Sequence, residues 1–217
     1  MKNGVAMGIK NLAPLPARHP DWQKIYRNVP EVHLPWHCET LDPDFAVHLE
    51  ALRVAGSPVI DIGCGTGTQT IALANAGLRV VGMDISTAAI ALANGRSAGG
   101  RVKFVEGDIL NPVLESMVDA RFAAAIDRGC FHVLDRKAWS RYALNVWKVL
   151  NPGGLLILKC FSIFEPDVGF GPERLSVGEI NRVFGSLFEI METRETQFRG
   201  PRAHLPRCYI VTLRRRS

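Results

Sequence analysis

The residues with the clearest chemistry are Val59-Ile60-Asp61-Ile62-Gly63-Cys64-Gly65-Thr66-Gly67-Thr68. An apolar run ends in three glycines, one at every second position, and an alanine- and leucine-rich stretch, Gln69 to Ala76, follows. A strand feeding a glycine turn and then a helix makes a pocket of nucleotide size. Asp61 stands two residues before the first glycine, and no Lys or Arg lies between Val59 and Ala76. A pyrophosphate would meet a carboxylate and no counter-charge there. A ligand carrying an ammonium or a sulfonium would be favoured. A P-loop would close on Gly-Lys-Ser/Thr, whereas Gly67-Thr68-Gln69 has no lysine. A dinucleotide fingerprint would carry its third glycine one residue later.

The elements that must position this loop are those of a parallel α/β sheet. Strands are expected at Pro58–Ile62, Arg79–Met83, Val102–Glu106, Phe122–Ile126 and Gly154–Phe161, with helices at Thr68–Ala76, Thr87–Ala98 and Ala138–Leu150. The strands are continuous apolar runs, as strands covered on both faces should be. Asn151-Pro152-Gly153-Gly154 reads as a helix stop and turn. After Phe161 a loop carries Pro166, Gly169, Gly171 and Pro172. Ser176 and Glu179 then have capping-box spacing and open a helix to Phe184. Leu187–Glu195 and Leu205–Leu213, joined through Gly200-Pro201, read as a closing hairpin. The expected fold is therefore a Rossmann-like α/β domain: a seven-stranded, mostly parallel sheet with an antiparallel last strand and helices on both faces. Upstream, residues 1–55 are expected to form an arm or lid on a domain spanning 56–217. Residues 1–20 read as a flexible start, Asp21–Tyr26 as a short helix, and a second helix runs from Pro43 to Val54.

Ligands of such sheets sit at the carboxyl ends of the strands. Four acids fall there: Asp61, Asp84, Asp108 and Asp127. Asp84, with Ile85 beside it, is placed for a carboxylate that accepts both hydroxyls of a ribose. Asp108, in Glu106-Gly107-Asp108-Ile109, is placed to accept from an adenine amino group. One aspartate after a strand is ordinarily a turn or cap residue. Four in register behind a glycine loop point to a bound nucleoside, and with a cationic tail that nucleoside is S-adenosylmethionine.

From Val59 to Leu213 the chain resembles the class I S-adenosylmethionine-dependent methyltransferases. The resemblance implies that Gly63, Gly65 and Gly67, with Cys64 among them, line the methionine part. It places Asp84 on the ribose, and Asp108 and Ile109 on the adenine. S-adenosylhomocysteine would be the product. Short motifs also resemble the thiopurine S-methyltransferase-like group: Trp22-Gln23-Lys24, Trp36-His37, Ile126-Asp127-Arg128-Gly129, Gly171-Pro172 and Ser176-Val177-Gly178-Glu179-Ile180. That group is close to tellurite-resistance and thiol or halide methyltransferases.

A soft acceptor suits this chemistry. A thiol with a pKa near ~8.5 is partly ionised at neutral pH and needs little base. Arg128 is the candidate for favouring a thiolate or other anionic acceptor, with a salt bridge to Asp127 or Asp135 as the ordinary alternative. His132 is the nearest candidate general base for a harder phenol or amine, with His33 and His37 of the arm as further candidates and a buried structural histidine as the alternative for His132. Trp22, Trp36, Phe131 and Arg128 are expected to line the acceptor site. Other readings are an O- or N-methyltransferase of a small aromatic metabolite, an RNA methyltransferase, or a silent binding module.

Composition bounds these readings. The chain of 217 residues has a formal net charge of +5 and 47% hydrophobic residues. That suits one globular unit with a sizeable core. Part of the positive excess is at Arg199, Arg202, Arg207 and Arg214-Arg215-Arg216. Too few arginines cluster there to make an extended nucleic-acid surface. The place after the fourth strand reads Asp127-Arg128-Gly129-Cys130, not the Asn/Asp-Pro-Pro-Tyr/Phe of amino-directed nucleic-acid methyltransferases. Five cysteines, Cys38, Cys64, Cys130, Cys160 and Cys208, form no CxxC pair. They read as reduced thiols of a cytoplasmic protein. His33 and His37 are separated by Pro35, so no metal pair is expected. No apolar run reaches the roughly 20 residues of a membrane span. Monomer and homodimer are both left open.

Overall fold

The structure, a computed structural model, describes residues 20–96, 100–114, 121–166 and 171–217. Nearly all of the flexible start expected over 1–20, the end of the second core helix at Ala98, and Gly169 lie outside the described residues.

Seven strands form one sheet. They are β1 Val59–Ile62, β2 Val80–Asp84, β3 Val102–Glu106, β4 Phe122–Arg128, β5 Leu150–Phe161, β6 Phe188–Gln197 and β7 Arg207–Arg215. Their order is β3-β2-β1-β4-β5-β7-β6. β1 to β5 pair in parallel, and β7 runs antiparallel to both β5 and β6. The expected fold class and reversed last strand are those of the structure.

Side chains alternate across the sheet as a two-residue period requires. Ile60 and Ile62 of β1, Leu156 and Leu158 of β5, and Val211 and Leu213 of β7 share one buried face. Val59, Ala124, Ile126, Ile157 and Ile210 share the other. Helices α1 Trp22–Asn28, α2 Pro43–Ala46, α3 Leu49–Ala55, α4 Thr68–Asn75, α5 Thr87–Arg96, α6 Trp139–Val149 and α7 Val177–Phe184 surround it. The first face takes α6 and α7 through Tyr142, Val146, Ile180 and Phe184. The second takes α3 and α4 through Leu52 and Leu73. The capping box of Ser176 and Glu179 forms as spaced.

Two local expectations are corrected. Helix α6 does stop just ahead of Asn151, at Val149, but Asn151 to Gly154 form no separate turn; they lie inside β5. Phe122 pairs with Leu150 and Ala124 with Leu155, so the Pro-Gly-Gly sequence is absorbed as a bulge with Gly153 at φ 74. The single helix expected from Pro43 to Val54 is two. Val47 and His48 break it, because Asp42 caps the first turn and Asp44 is fastened to the sheet.

Candidate active site

The order of strands reverses between β1 and β4, and the carboxyl ends of the parallel strands open there. A cavity of about 250 Å³ lies along this edge. Gly63 after β1, Asp84 and Ile85 at β2, Asp108 and Ile109 after β3, Gly129 after β4 and Phe161 at β5 all contribute to its wall.

The glycine loop is held from below. Gly63 and Cys64 donate their N–H groups to the Met83 carbonyl at 2.8 and 2.9 Å. Gly63, Gly65 and Gly67 have φ of 68, 54 and 79, a region that L side chains rarely adopt. A Cβ on Gly65 would stand 2.8 Å from the Tyr26 hydroxyl, so the arm closes tightly over the loop.

The four acids at the strand ends share a position but not an environment. Asp84 accepts from Gly65 N on one oxygen and Ser86 N on the other, both at 2.9 Å. A carboxylate offers about four acceptor positions, so each oxygen keeps room for another donor. Burial pushes the Asp84 pKa up against those two hydrogen bonds. Asp108 lines the cavity and accepts from Leu110 N at 2.8 Å. Asp61 is buried behind the loop with Thr70 as its donor. Burial first, with Asp127 and Asp84 adding to it, pushes its pKa up to about 7 against that hydrogen bond.

Asp127 departs from the expectation of a cofactor ligand. One oxygen accepts from Gly129 N and Cys130 N, the other from Phe131 N and the Tyr142 hydroxyl, at 2.6 to 2.9 Å. All of its acceptor positions are taken by the turn it caps. Burial still raises its pKa to about 6.

Phe131 is also corrected. The turn that Asp127 caps swings its ring away from the cavity into the core, 4.9 Å from Tyr142 and 5.2 Å from Phe184 between ring centres. Trp22 and Trp36 do stand in the cavity wall, packed edge to face 5.7 Å apart.

Arg128 reaches the wall, but each of its nitrogens already donates. Its Nε meets Asp42 at 2.9 Å, Nη1 the Trp36 carbonyl at 3.0 Å, and Nη2 the Arg199 carbonyl. Neither Asp127 nor Asp135 is its partner; the arm is. The Arg128 side chain ties the arm, β4 and the β6–β7 loop together.

His132 is buried, and its Nδ1 accepts the Phe161 N–H at 2.9 Å. Burial, with the positive charges of Arg174 and Arg128, lowers its pKa to about 3. A general base must take up a proton. The nitrogen without a proton is Nδ1, and a backbone donor occupies it. The expected role of base therefore fails. Cys130 and Cys64 are held as neutral thiols, their pKa raised by burial. His37 sits between Glu31 and Glu39 at 3.3 and 3.5 Å, and no metal-holding cluster of His, Cys, Asp or Glu occurs among the described residues.

The arm is fastened over the site at three places. Gln23 bonds Ser86 Oγ and Ala88 N, each at 3.0 Å, as well as Thr87 at the start of α5. Glu31 accepts from Thr66 in the glycine loop at 2.7 Å and pairs with Arg96. Asp42 and Asp44 enclose the Lys159 ammonium, buried in mid-sheet, at 2.7 to 2.9 Å. Gln23 stood in the Trp22-Gln23-Lys24 motif without this role, and neither Glu31 nor Lys159 with its two acids was singled out from the sequence. A lysine inside the apolar run from Leu155 to Phe161 is a signal of a buried acidic partner. Its partner 117 residues upstream has no local signal. Phe161, Phe198, Arg202 and Pro172, which complete the wall, were missed as well.

Residues 59–154 match the methyltransferase-domain family. A methyltransferase from Anabaena variabilis superposes with a TM-score of 0.74, covering 95% of this chain and 100% of that one at 18% identity. The chain carries a methyltransferase domain in the fold of the S-adenosylmethionine-dependent methyltransferases. The 2-heptyl-1-hydroxyquinolin-4(1H)-one methyltransferase of Mycobacteroides abscessus is 28% identical over 72% of this chain and 69% of its own length. A probable thiol methyltransferase of Arabidopsis thaliana is 28% identical over 77% and 75%. A magnesium protoporphyrin IX methyltransferase of Synechocystis PCC 6803 with bound S-adenosylmethionine superposes with a TM-score of 0.59 at 22% identity, covering 79% of this chain and 77% of that one. The donor set here fits S-adenosylmethionine: spare acceptor positions on Asp84 and Asp108 suit hydroxyl and amino donors, and acids without a nearby lysine suit a cationic tail. No described helix is long and apolar enough to cross a membrane.

Proposed function

We propose that this methyltransferase acts on a small aromatic acceptor whose sulfur or oxygen is already ionised in solution, a thiol first among them. The observation that carries this reading is the spent state of the groups that follow β4 at the acceptor end. His132 has its bare nitrogen occupied, Asp127 is saturated, Arg128 is a cation with each nitrogen engaged, and Cys130 is a neutral thiol. Trp36, Phe161, Phe198 and Pro172 make that end apolar and aromatic.

When bound, S-adenosylmethionine supplies an activated methyl group on a sulfonium. The residues of the chain contribute placement. Asp84 is assigned the ribose hydroxyls, Asp108 and Ile109 the adenine, and the loop from Gly63 to Gly67 the methionine part. Ile85 sits beside the ribose and Asp61 behind the amino group. Trp22 and Trp36 close the acceptor side, residues 20–55 act as the lid of a core beginning at 56, and water is excluded from the transfer. Alignment and exclusion of water account for much of the rate in a transfer that needs no proton removed. The names of the two relatives fit: one acts on a thiol, the other on a ring bearing a hydroxyl.

The test is calorimetric titration with S-adenosylhomocysteine on wild type and Asp84→Ala, followed by turnover on aromatic thiols, acidic ring hydroxyls, neutral alcohols and amines. One-to-one binding lost in the variant, with turnover confined to the acidic acceptors, is expected. Turnover of alcohols or amines at comparable rates would overturn the reading.

A further inference from the structure

His132 remains unexplained by the cofactor and by a base role, yet it occupies the acceptor wall. Its ring is wedged between Phe161, centre to centre 4.6 Å, and Phe198, 5.4 Å. Because the Phe161 N–H can only donate, Nδ1 must carry the lone pair. A neutral ring then has its proton on Nε2. That Nε2 lies against Gly129, 3.0 Å from where a Cβ would stand, and Gly129 and Phe198 both belong to the main cavity wall. Among the described residues Nε2 has no hydrogen-bond partner, although the side chain is buried. Nε2 is not sealed off, so it stands open on the cavity, where an acceptor can reach its proton.

We propose that the His132 Nε2–H is the substrate-selecting donor of this site, and that it takes a hydrogen-bond-accepting oxygen or ring nitrogen carried by the aromatic acceptor. This rests on the acceptor reading above and deepens it: the preferred substrate is a heteroaromatic thiol or hydroxyl compound, not a plain arene thiol. The charges around the ring fix its state. Arg128 and Arg202 line the cavity, the Arg174 charge acts on the ring with that of Arg128, and Asp135, Arg136 and Glu173 line a smaller void that His132 also borders. Burial and the cations hold the ring neutral well below physiological pH. The donor is therefore present across the working range. The geometry also selects against a positively charged acceptor group at this point.

Two substitutions separate donor from scaffold. In His132→Asn the side-chain oxygen can still accept the Phe161 N–H, but nothing replaces Nε2. In His132→Gln an amide N–H can reach toward the Nε2 position. The probes, compared as their thiolates, are 4-mercaptopyridine, whose ring nitrogen is then unprotonated and accepts, and thiophenol, which has no ring nitrogen. Wild type is expected to favour the mercaptopyridine. His132→Asn should lose roughly ten- to a hundredfold in kcat/KM on it and little on thiophenol, with most of the lost activity restored in His132→Gln. S-adenosylhomocysteine affinity should be unchanged in both variants, which certifies the fold. Nitrogen-15 NMR should show the His132 ring as the Nε2–H tautomer with no titration from about pH 5.5 to 8. Equal losses on both thiols, a ring that titrates in that window, or a proton found on Nδ1 would each overturn the proposal. If wild type turns over neither thiol, the acceptor reading falls, and the NMR result still decides whether the donor exists.

Discussion

Replacing Asp42 by Asn should destabilise the protein more than replacing Lys159 by Met, although the two form one ion pair. The buried cluster holds Asp42 and Asp44 against Lys159, Arg128 and Arg194. Two anions face three cations. In Asp42→Asn one anion faces three cations, and the Lys159 ammonium, 1% exposed, keeps Asp44 as its remaining carboxylate partner. Asn caps a helix about as well as Asp, so the bond to Asp44 N survives and charge alone is lost. Breaking a buried pair from one side, which leaves this cluster with two uncompensated positive charges, costs about 3–5 kcal/mol. In Lys159→Met two anions face two cations, Arg128 still holds Asp42, and Met fills a similar volume. That loss is of charge-assisted hydrogen bonds, about 1–3 kcal/mol. For a chain of this size each kcal/mol moves Tm by roughly 2–4 °C. Asp42→Asn should therefore melt about 6–20 °C lower. The double variant is decisive. It removes one of the two excess positive charges, so it should be more stable than Asp42→Asn alone. Thermal and urea unfolding of the four proteins measures this. A double variant whose loss equals the sum of the single losses would refute the reasoning, because it would mean that the pair does not interact.

Binding of S-adenosylhomocysteine should release a proton near pH 6.5. Its ammonium favours ionised Asp61, whose pKa stands at about 7 in the free protein. Affinity should therefore rise with pH up to about 7 and level off above it, and calorimetry in buffers of different ionisation enthalpy reads the proton directly; Asp61→Asn should flatten the profile. Gly65→Ala places a Cβ 2.8 Å from the Tyr26 hydroxyl at φ 54, so it should lift the arm and weaken S-adenosylhomocysteine on the order of tenfold or more, by calorimetry. A thiol reagent should modify Cys38 ahead of the other cysteines. Cys38 is half-buried, whereas burial raises the pKa of Cys64, Cys130, Cys160 and Cys208. Mass spectrometry of early time points decides it.

What could be read in the chain beforehand divides by the range of the interaction. The glycine loop, the strand runs and the Ser176 capping box depend on neighbours within a few residues, and they formed as spaced. The four acids were all found at strand ends. Their different uses depend on which backbone N–H groups the following turn presents. Asp127 meets three at once, and Asp84 meets one from its own turn and one from the glycine loop. Phe131 is next to the cavity in sequence, but the turn reverses its direction. Lys159 and Asp42 are invisible as a pair because the contact that justifies each lies far along the chain. The bulge at Asn151–Gly154 shows the converse error: strong turn residues can be tolerated within a strand where the partner accepts a register shift.

These spent side chains bear on how the reaction can run. In a site where a base is free, the enzyme can accept a neutral nucleophile and remove its proton as the bond forms. At the acceptor end here, the described groups that could do so are tied up in holding the turn after β4 and the arm over the cavity. Those ties have their own return, because they fix Trp36 and the β6–β7 loop against the site through Arg128. Order in the walls is thus gained at the expense of proton transfer, and the burden of ionisation falls on the acceptor. The proton on His132 Nε2 then matters in a way a base would not. It reads the acceptor without taking part in the bond change, so it selects substrates at every pH at which the acceptor itself is ionised.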